Sequence, residues 1–289
     1  MLPQNDHFHG ISLAAIGVLV LSFDALLVRL AEASAANVTF WRGVFIALSV
    51  TVALRLLRGR WPWTEVGRGG RLALVLVVLM GLMQALFVVA IMNTRVANVV
   101  VILTAAPLFA ALFSGLFLRE WIPRRTWVAI LLSILGIGIV FGGAIGAGSW
   151  FGDSLALLGA IVVGINFTLL RHLPGVSRLA LIAGGGLVAC LIALPMGAPT
   201  PISGFSLGVL AVMGLVQMPL ALVMMTEATR FLPSAEVTLF FTLEAVFGSF
   251  WVWAVLGEEP PPATLVGGTL VVATLIMHSW IGIRRERQG

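Results

Sequence analysis

Ten apolar runs follow one another along the chain, at about 11 to 30, 37 to 57, 71 to 92, 96 to 118, 126 to 145, 153 to 172, 178 to 195, 205 to 229, 234 to 256 and 263 to 283. Each is close to the roughly 20 residues that a helix needs to cross the hydrocarbon core. Polar punctuation fills the breaks: RGRWPWTEVGRGG before Arg71, REWIPRR after Leu118, GAGSWFGD around Ser149, LPGVSR around Gly175, MGAPTPISG around Pro199 and GEEPPP after Leu256. No run alternates apolar and polar residues with period two, as a barrel strand would, and backbone groups in lipid must pair within their own segment. The pattern predicts an all-α integral membrane protein of ten transmembrane helices.

Composition agrees with the pattern. Hydrophobic residues make up 60% of the 289 and charged ones 10%, with a mean hydropathy of +1.10. A soluble domain carries roughly 25% charged residues and could not cover so much apolar surface. The net charge of +5 comes from arginine alone. Those arginines cluster in short loops between apolar runs, so they read as a topology signal and no nucleic-acid partner is expected. The start, MLPQNDHFHG, lacks the basic segment of a cleavable leader, so the first helix is expected to remain. Cys190 is a single cysteine in an apolar run and permits no disulfide framework.

Short cytoplasmic loops collect positive charge. With the N-terminus inside, Arg55, Arg58, Arg60, Arg68 and Arg71 flank the second connection, Arg119, Arg124 and Arg125 the fourth, Arg171 and Arg178 the sixth, and Arg230 the eighth. Arg284, Arg285 and Arg287 form an inner tail. Of 17 arginines, 14 then lie inside, Arg29 and Arg95 lie near the outer face, and Arg42 falls within a span, while Glu258 and Glu259 are external. Both termini are expected in the cytoplasm, with the protein in a bacterial-type inner membrane.

An internal repeat accompanies this topology. TRVANVVVILTAAPLFAALFSGLFLREWIPRRTW overlays ATRFLPSAEVTLFFTLEAVFGSFWVWAVLGEEPPPATL at an offset of 138, bringing Ala97 onto Ala235 and Glu120 onto Glu258. Upstream the offset is 142, with Asp24 on Asn166 and Arg29 on Arg171. Five spans per half is odd, so the halves, residues 1–148 and 149–289, are expected to be inverted relative to each other. In such folds the substrate site lies near the midplane between the halves.

With TFWRGVF in the second run, LTAAPLFAALFSGLFLRE ahead of Glu120, GDSLALLGA at Gly152, and LGEEPPP, the chain resembles the drug/metabolite transporter superfamily in its EamA group. The resemblance covers essentially the full length and is similar in pattern to YddG-like exporters of aromatic and other amino acids. It implies two five-helix repeats and a central cavity lined by spans one to four and six to nine. It also implies export of a small-molecule substrate, an amino acid or a related metabolite, without a cofactor. One departure stands out: Ala245 occupies the place in the second half that Pro107 holds in the first.

Polar groups inside spans are costly in lipid and mark pathways or pairs. Asp24 and Arg42 lie six residues from the outer ends of the first two runs, which puts both about 9 Å deep at 1.5 Å per residue. They can form an ion pair that locks two helices, or Arg42 can receive a substrate carboxylate while Asp24 faces its ammonium or relays a proton. Glu244, near the middle of the ninth run, is the candidate for proton coupling. Gln84, Asn98, Asn166 and Gln217 can contact substrate or bond a neighbouring helix. Glu227 and Glu236, read together with Arg230, form an interfacial cluster or an inner gate.

Other residues carry blander expectations. Trp61, Trp63, Trp121, Trp127, Trp150 and Trp280 sit near span ends as an aromatic belt, and His278 reads as an interface anchor. Trp41, Phe87, Phe167 and Trp251 pack the interior or flank an aromatic substrate. Gly138, Gly142 and Gly146 allow close helix approach, within the chain or between subunits, and the oligomeric state is left open. His7 and His9 are too isolated for a metal site. The chain has no lysine, which excludes a P-loop ATPase and a retinal Schiff base. No filter motif points to a channel and no paired catalytic constellation to an enzyme.

Overall fold

The computed structural model describes residues 4–93, 105–119, 123–141, 150–173 and 175–256. It also describes Val99, Ile102 and Leu103, and in the last run Val266, Gly267, Thr269, Leu270, 272–274, 276–278, Trp280 and Ile281. Every regular element among these residues is helical. In chain order they are α1 (Gln4–Leu21), α2 (Asp24–Ala31), α3 (Ala35–Arg58), α4 (Pro62–Arg68), α5 (Gly70–Asn93), α6 (Ala106–Phe113), α7 (Arg124–Phe141), α8 (Trp150–His172), α9 (Arg178–Ala193), α10 (Gly204–Val212), α11 (Met218–Ala228) and α12 (Ser234–Leu256).

Among the described residues, seven helical stretches are long and apolar enough to cross a membrane: His7–Val28, which runs from α1 into α2, Ala35–Arg58, Gly70–Asn93, Trp150–His172, Arg178–Met196, Gly204–Ala228, which joins α10 to α11, and Ser234–Val255. Ala106–Leu118 is a shorter apolar helix. Parts of the fourth, fifth and tenth apolar runs lie outside the described residues.

Serines open three of the helices. Ser34, Ser177 and Ser203 sit in extended conformation before α3, α9 and α10, and each side chain accepts from a backbone N–H in the first turn. This satisfies donors that a helix start leaves unpaired. Gly59 ends α3 at φ 65°, a left-handed conformation that costs glycine little.

The tightest packing joins α9 to α3 and α5. A Cβ built on Gly43 would lie 2.5 Å from the Gly186 carbonyl oxygen, and one on Gly186 would lie 2.7 Å from that of Gly43. Gly81, Gly184 and Gly185 leave similarly little room against Val188, Val77 and Met80. Lipid tails are as apolar as the helices, so close backbone contact of this kind is what drives association. Gly138, expected to serve close approach, has nothing within 4 Å; Gly142 and Gly146 lie outside the described residues. Gly186→Val is therefore expected to force α3 and α9 apart at a cost of about 1–3 kcal/mol, read as a lower midpoint of thermal unfolding in detergent.

Candidate functional site

The first apolar run is not one helix. α1 ends at Leu21 and α2 begins at Asp24, with Ser22 and Phe23 in a turn between them. Neither proline nor glycine stands at this break, so its cause is tertiary. The Ser22 hydroxyl donates to the Leu19 carbonyl at 2.7 Å. The Gln217 side-chain amide donates to the carbonyls of Val20 at 3.0 Å and Leu21 at 3.3 Å. The Trp251 indole N–H donates to Ser22 Oγ at 2.8 Å, and its ring stacks on Phe23 at 4.2 Å. Gln217 itself closes a π-helical turn, Met213–Gln217, that joins α10 to α11. Two irregular helices thus meet, and the side chain of one satisfies carbonyls that the other leaves open. Interrupted helices and π-turns of this kind mark functional sites in membrane transporters.

Asp24 is the first residue after the break. Its carboxylate pairs with Arg42 of α3, Nη1 lying 3.3 Å from Oδ2. Both residues are buried, at 2% and 1% exposure. Arg42 Nη2 also donates to the backbone carbonyl of Gln84 at 3.4 Å. Arg42 Nε, Gln84 Oε1 and Gln217 Oε1 are buried with no partner among the described residues. Glu244 of α12 is partly buried and lies within electrostatic range of both Asp24 and Arg42. It makes no hydrogen bond or ion pair among the described residues. The site therefore holds two acidic side chains and one guanidinium.

Of the seven residues expected to contact substrate, Asp24, Arg42, Gln84, Gln217 and Glu244 gather here. Gln84 contributes its backbone carbonyl, while its side-chain amide turns back to Met80 of its own helix at 3.4 Å. Asn166 instead donates to the Leu76 carbonyl at 3.5 Å, tying α8 to α5 two turns along from Gln84. Asn98 lies outside the described residues. Of the four aromatic candidates, Trp251 is the one that touches the break; Trp41 stacks on Phe45 within α3, and Phe167 meets Phe241 edge-on. Gln217→Leu removes the cap from two carbonyls that lipid cannot satisfy. It is expected to lower transport at least tenfold while Gln217→Glu, which keeps the length but loses the donors, fails equally in a liposome flux assay.

The expected grouping of Glu227, Arg230 and Glu236 is corrected. Glu227 pairs with Arg230 at 2.5 Å, one helical turn apart at the end of α11. Glu236, 4% exposed, belongs to a different cluster. It faces Arg125 at 3.4 Å, His7 at 3.6 Å and His278 at 3.5 Å, and accepts from the Thr126 hydroxyl at 3.4 Å. His278 is therefore a buried partner of Glu236 and not an interface anchor. The sequence neighbours of Glu236 pointed to Arg230, but its true partners come from α1, α7 and the last apolar run. Among the described residues no group of three His, Cys, Asp or Glu side chains is arranged to hold a metal.

Two arginines counted as loop charges also have structural work. Arg178, 1% exposed, donates to the carbonyls of Leu170 at 2.7 Å and Leu173 at 3.0 Å, and so closes the C-terminal end of α8. Arg171 donates to the carbonyls of Thr229 and Leu232, stitching α8 to the α11–α12 turn.

A buried charge cluster at an interrupted helix in an all-helical membrane bundle is the arrangement of a transporter. The EamA-like transporter family matches the chain over residues 8–142 and again over 150–280, and the chain belongs to that family. It is 27% identical over 280 residues to the pseudopaline exporter CntI of Pseudomonas aeruginosa strain UCBPP-PA14, covering 93% of this chain and 95% of the exporter. A transporter of Bacillus subtilis strain 168, YdfC, is 26% identical over 181 residues, 59% of this chain and 58% of the relative. A solved crystal structure matches with a TM-score of 0.75 over 97% of this chain and 98% of that one, at 17% identity, and speaks for the fold alone.

Proposed function

We propose that this protein is a secondary transporter that exports amino acids, aromatic and other neutral ones, or closely related small metabolites across the inner membrane. Ten spans in two inverted repeats, 1–148 and 149–289, would place both termini in the cytoplasm and the substrate between the halves, with alternating access by rocking of one half against the other. The observation that carries this reading is the Asp24–Arg42 pair at the break between α1 and α2, with Glu244 in electrostatic range. Arg42 offers a planar fork for a carboxylate, and the two acidic residues offer partners for an ammonium. An amino acid carries both groups. The similarity to a pseudopaline exporter supports export of a small metabolite and keeps, as a second reading, a metabolite other than a free amino acid.

Two further clusters fit alternating access. On α12, Glu244 stands between Glu236 with its ring of partners and Trp251 with its stack on Phe23. The separations of eight and seven residues are about 12 and 10 Å along a helix. One contact closes each side of the site. The test is uptake of labelled phenylalanine, threonine and a nucleotide sugar into liposomes holding the purified protein, with and without a pH gradient. Saturable, competable amino acid flux with counterflow is expected. Flux that never saturates would make the protein a channel, and flux of none of the amino acids would remove the substrate assignment.

A further inference from the structure

The connection between α3 and α5, together with the helix ends that flank it, carries five arginines, Arg55, Arg58, Arg60, Arg68 and Arg71, against a single acid, Glu65. It is folded and not a loose loop. α4 buries Pro62, Glu65 and Val66 against α5 and α9, and leaves Trp61 and Trp63 48% and 54% exposed. Leu56 and Leu57 beside them are 80% and 76% exposed. Arg60 and Arg68 share Glu65, at 3.0 and 2.7 Å. The Arg55 guanidinium lies 5.3 Å over the Trp61 ring and donates to the Gly59 carbonyl. Arg58 and Arg71 are exposed and have no acidic partner among the described residues.

This mixture has a specific chemical counterpart. Indole rings and aliphatic side chains settle at the boundary between headgroups and acyl chains, while guanidinium forks bind phosphate with paired donors. A zwitterionic headgroup brings no net charge to offset five cations. We propose that the Arg55–Arg71 ledge is a binding surface for anionic phospholipid headgroups in the leaflet that the arginine asymmetry assigns to the cytoplasm. Arg55, Arg58 and Arg71 hold the phosphates, and Trp61 and Trp63 set the depth. Glu65 limits the affinity by occupying Arg60 and Arg68.

The test uses the full-length protein in neutral detergent, titrated with phosphatidylglycerol or phosphatidylcholine, with retained lipid counted by native mass spectrometry. Phosphatidylglycerol is expected to be preferred by at least tenfold, and the preference to fall as salt rises. Removing two surface arginines with Arg58→Gln/Arg71→Gln should weaken phosphatidylglycerol binding by about 25-fold, about fivefold for each. Glu65→Gln should strengthen it, an opposite sign that misfolding cannot produce. Equal retention of both lipids, or unchanged preference in the double variant, overturns the proposal. So does capture of a polyglutamate peptide by the same arginines in the presence of phosphatidylglycerol vesicles, which would give the face to an acidic protein.

Discussion

Arg42→Leu is expected to abolish transport and to destabilise the protein by about 3–5 kcal/mol, because Asp24 is left buried and uncompensated. Arg42 is 1% exposed, so neither water nor lipid headgroups can stand in for it. That result alone does not separate a helix lock from a substrate site. The double variant Asp24→Leu/Arg42→Leu does. Replacing both partners of a buried pair with apolar side chains is often neutral or stabilising by about 1–4 kcal/mol, so the unfolding midpoint should return to that of the parent. Transport should not return, because the carboxylate fork is gone. Recovery of both would reduce the pair to a lock between α2 and α3. Arg42→Lys refines the point: it keeps the charge but loses the planar fork, so the substrate concentration for half-maximal flux should rise at least tenfold. Full transport by Arg42→Lys would count against bidentate carboxylate binding.

Much of the helical architecture was legible because lipid imposes one rule on every crossing, and the rule is written in run length. α3, α5, α8, α9 and α12 start and stop within a few residues of their apolar runs. The first and eighth runs were not legible in this way, since each reads as continuous. Nothing local in Val20–Leu21–Ser22–Phe23–Asp24 forces a break. It exists because Gln217 and Trp251 hold it from other helices. A break maintained by partners nearly 200 or more positions away leaves no mark on its own segment. The same holds for the glycines: Gly138, Gly142 and Gly146 drew notice by their spacing, while Gly43 and Gly186 meet each other from different helices and show no such regularity.

The charged part of the site was easier to read than its neutral part. Charges in spans are few, and Asp24 and Arg42 stand out as opposite signs at matching depth. An amide can serve any neighbour, so Gln217 on the α1 carbonyls and Asn166 on Leu76 could not be told apart beforehand. Glu236 illustrates the limit from the other side. Proximity along the chain assigned it to Arg230, yet the turn after α11 separates them, and Arg125, His7 and His278 converge on it from distant positions.

Glu244→Gln is expected to leave a protein that folds and exchanges substrate but no longer accumulates it in response to a pH gradient. The argument is a charge count. Asp24 and Arg42 offset each other at 3.3 Å, and Glu244 then has no cation of its own among the described residues. An unmatched carboxylate inside a span is costly, so each conformation that moves through the membrane needs a counterpart for it. A proton serves when the site is empty, and the ammonium of the substrate serves when it is full. Exchange of one for the other ties flux to the proton gradient. One unit of pH difference is worth about 1.4 kcal/mol, or about tenfold in accumulation, and the glutamine variant should lose that factor because it carries no charge to exchange. Counterflow, which needs no net proton movement, should persist at a reduced affinity. If accumulation by Glu244→Gln followed the imposed gradient as the parent does, the coupling group would have to be sought elsewhere, with Asp24 the next carboxylate in the site.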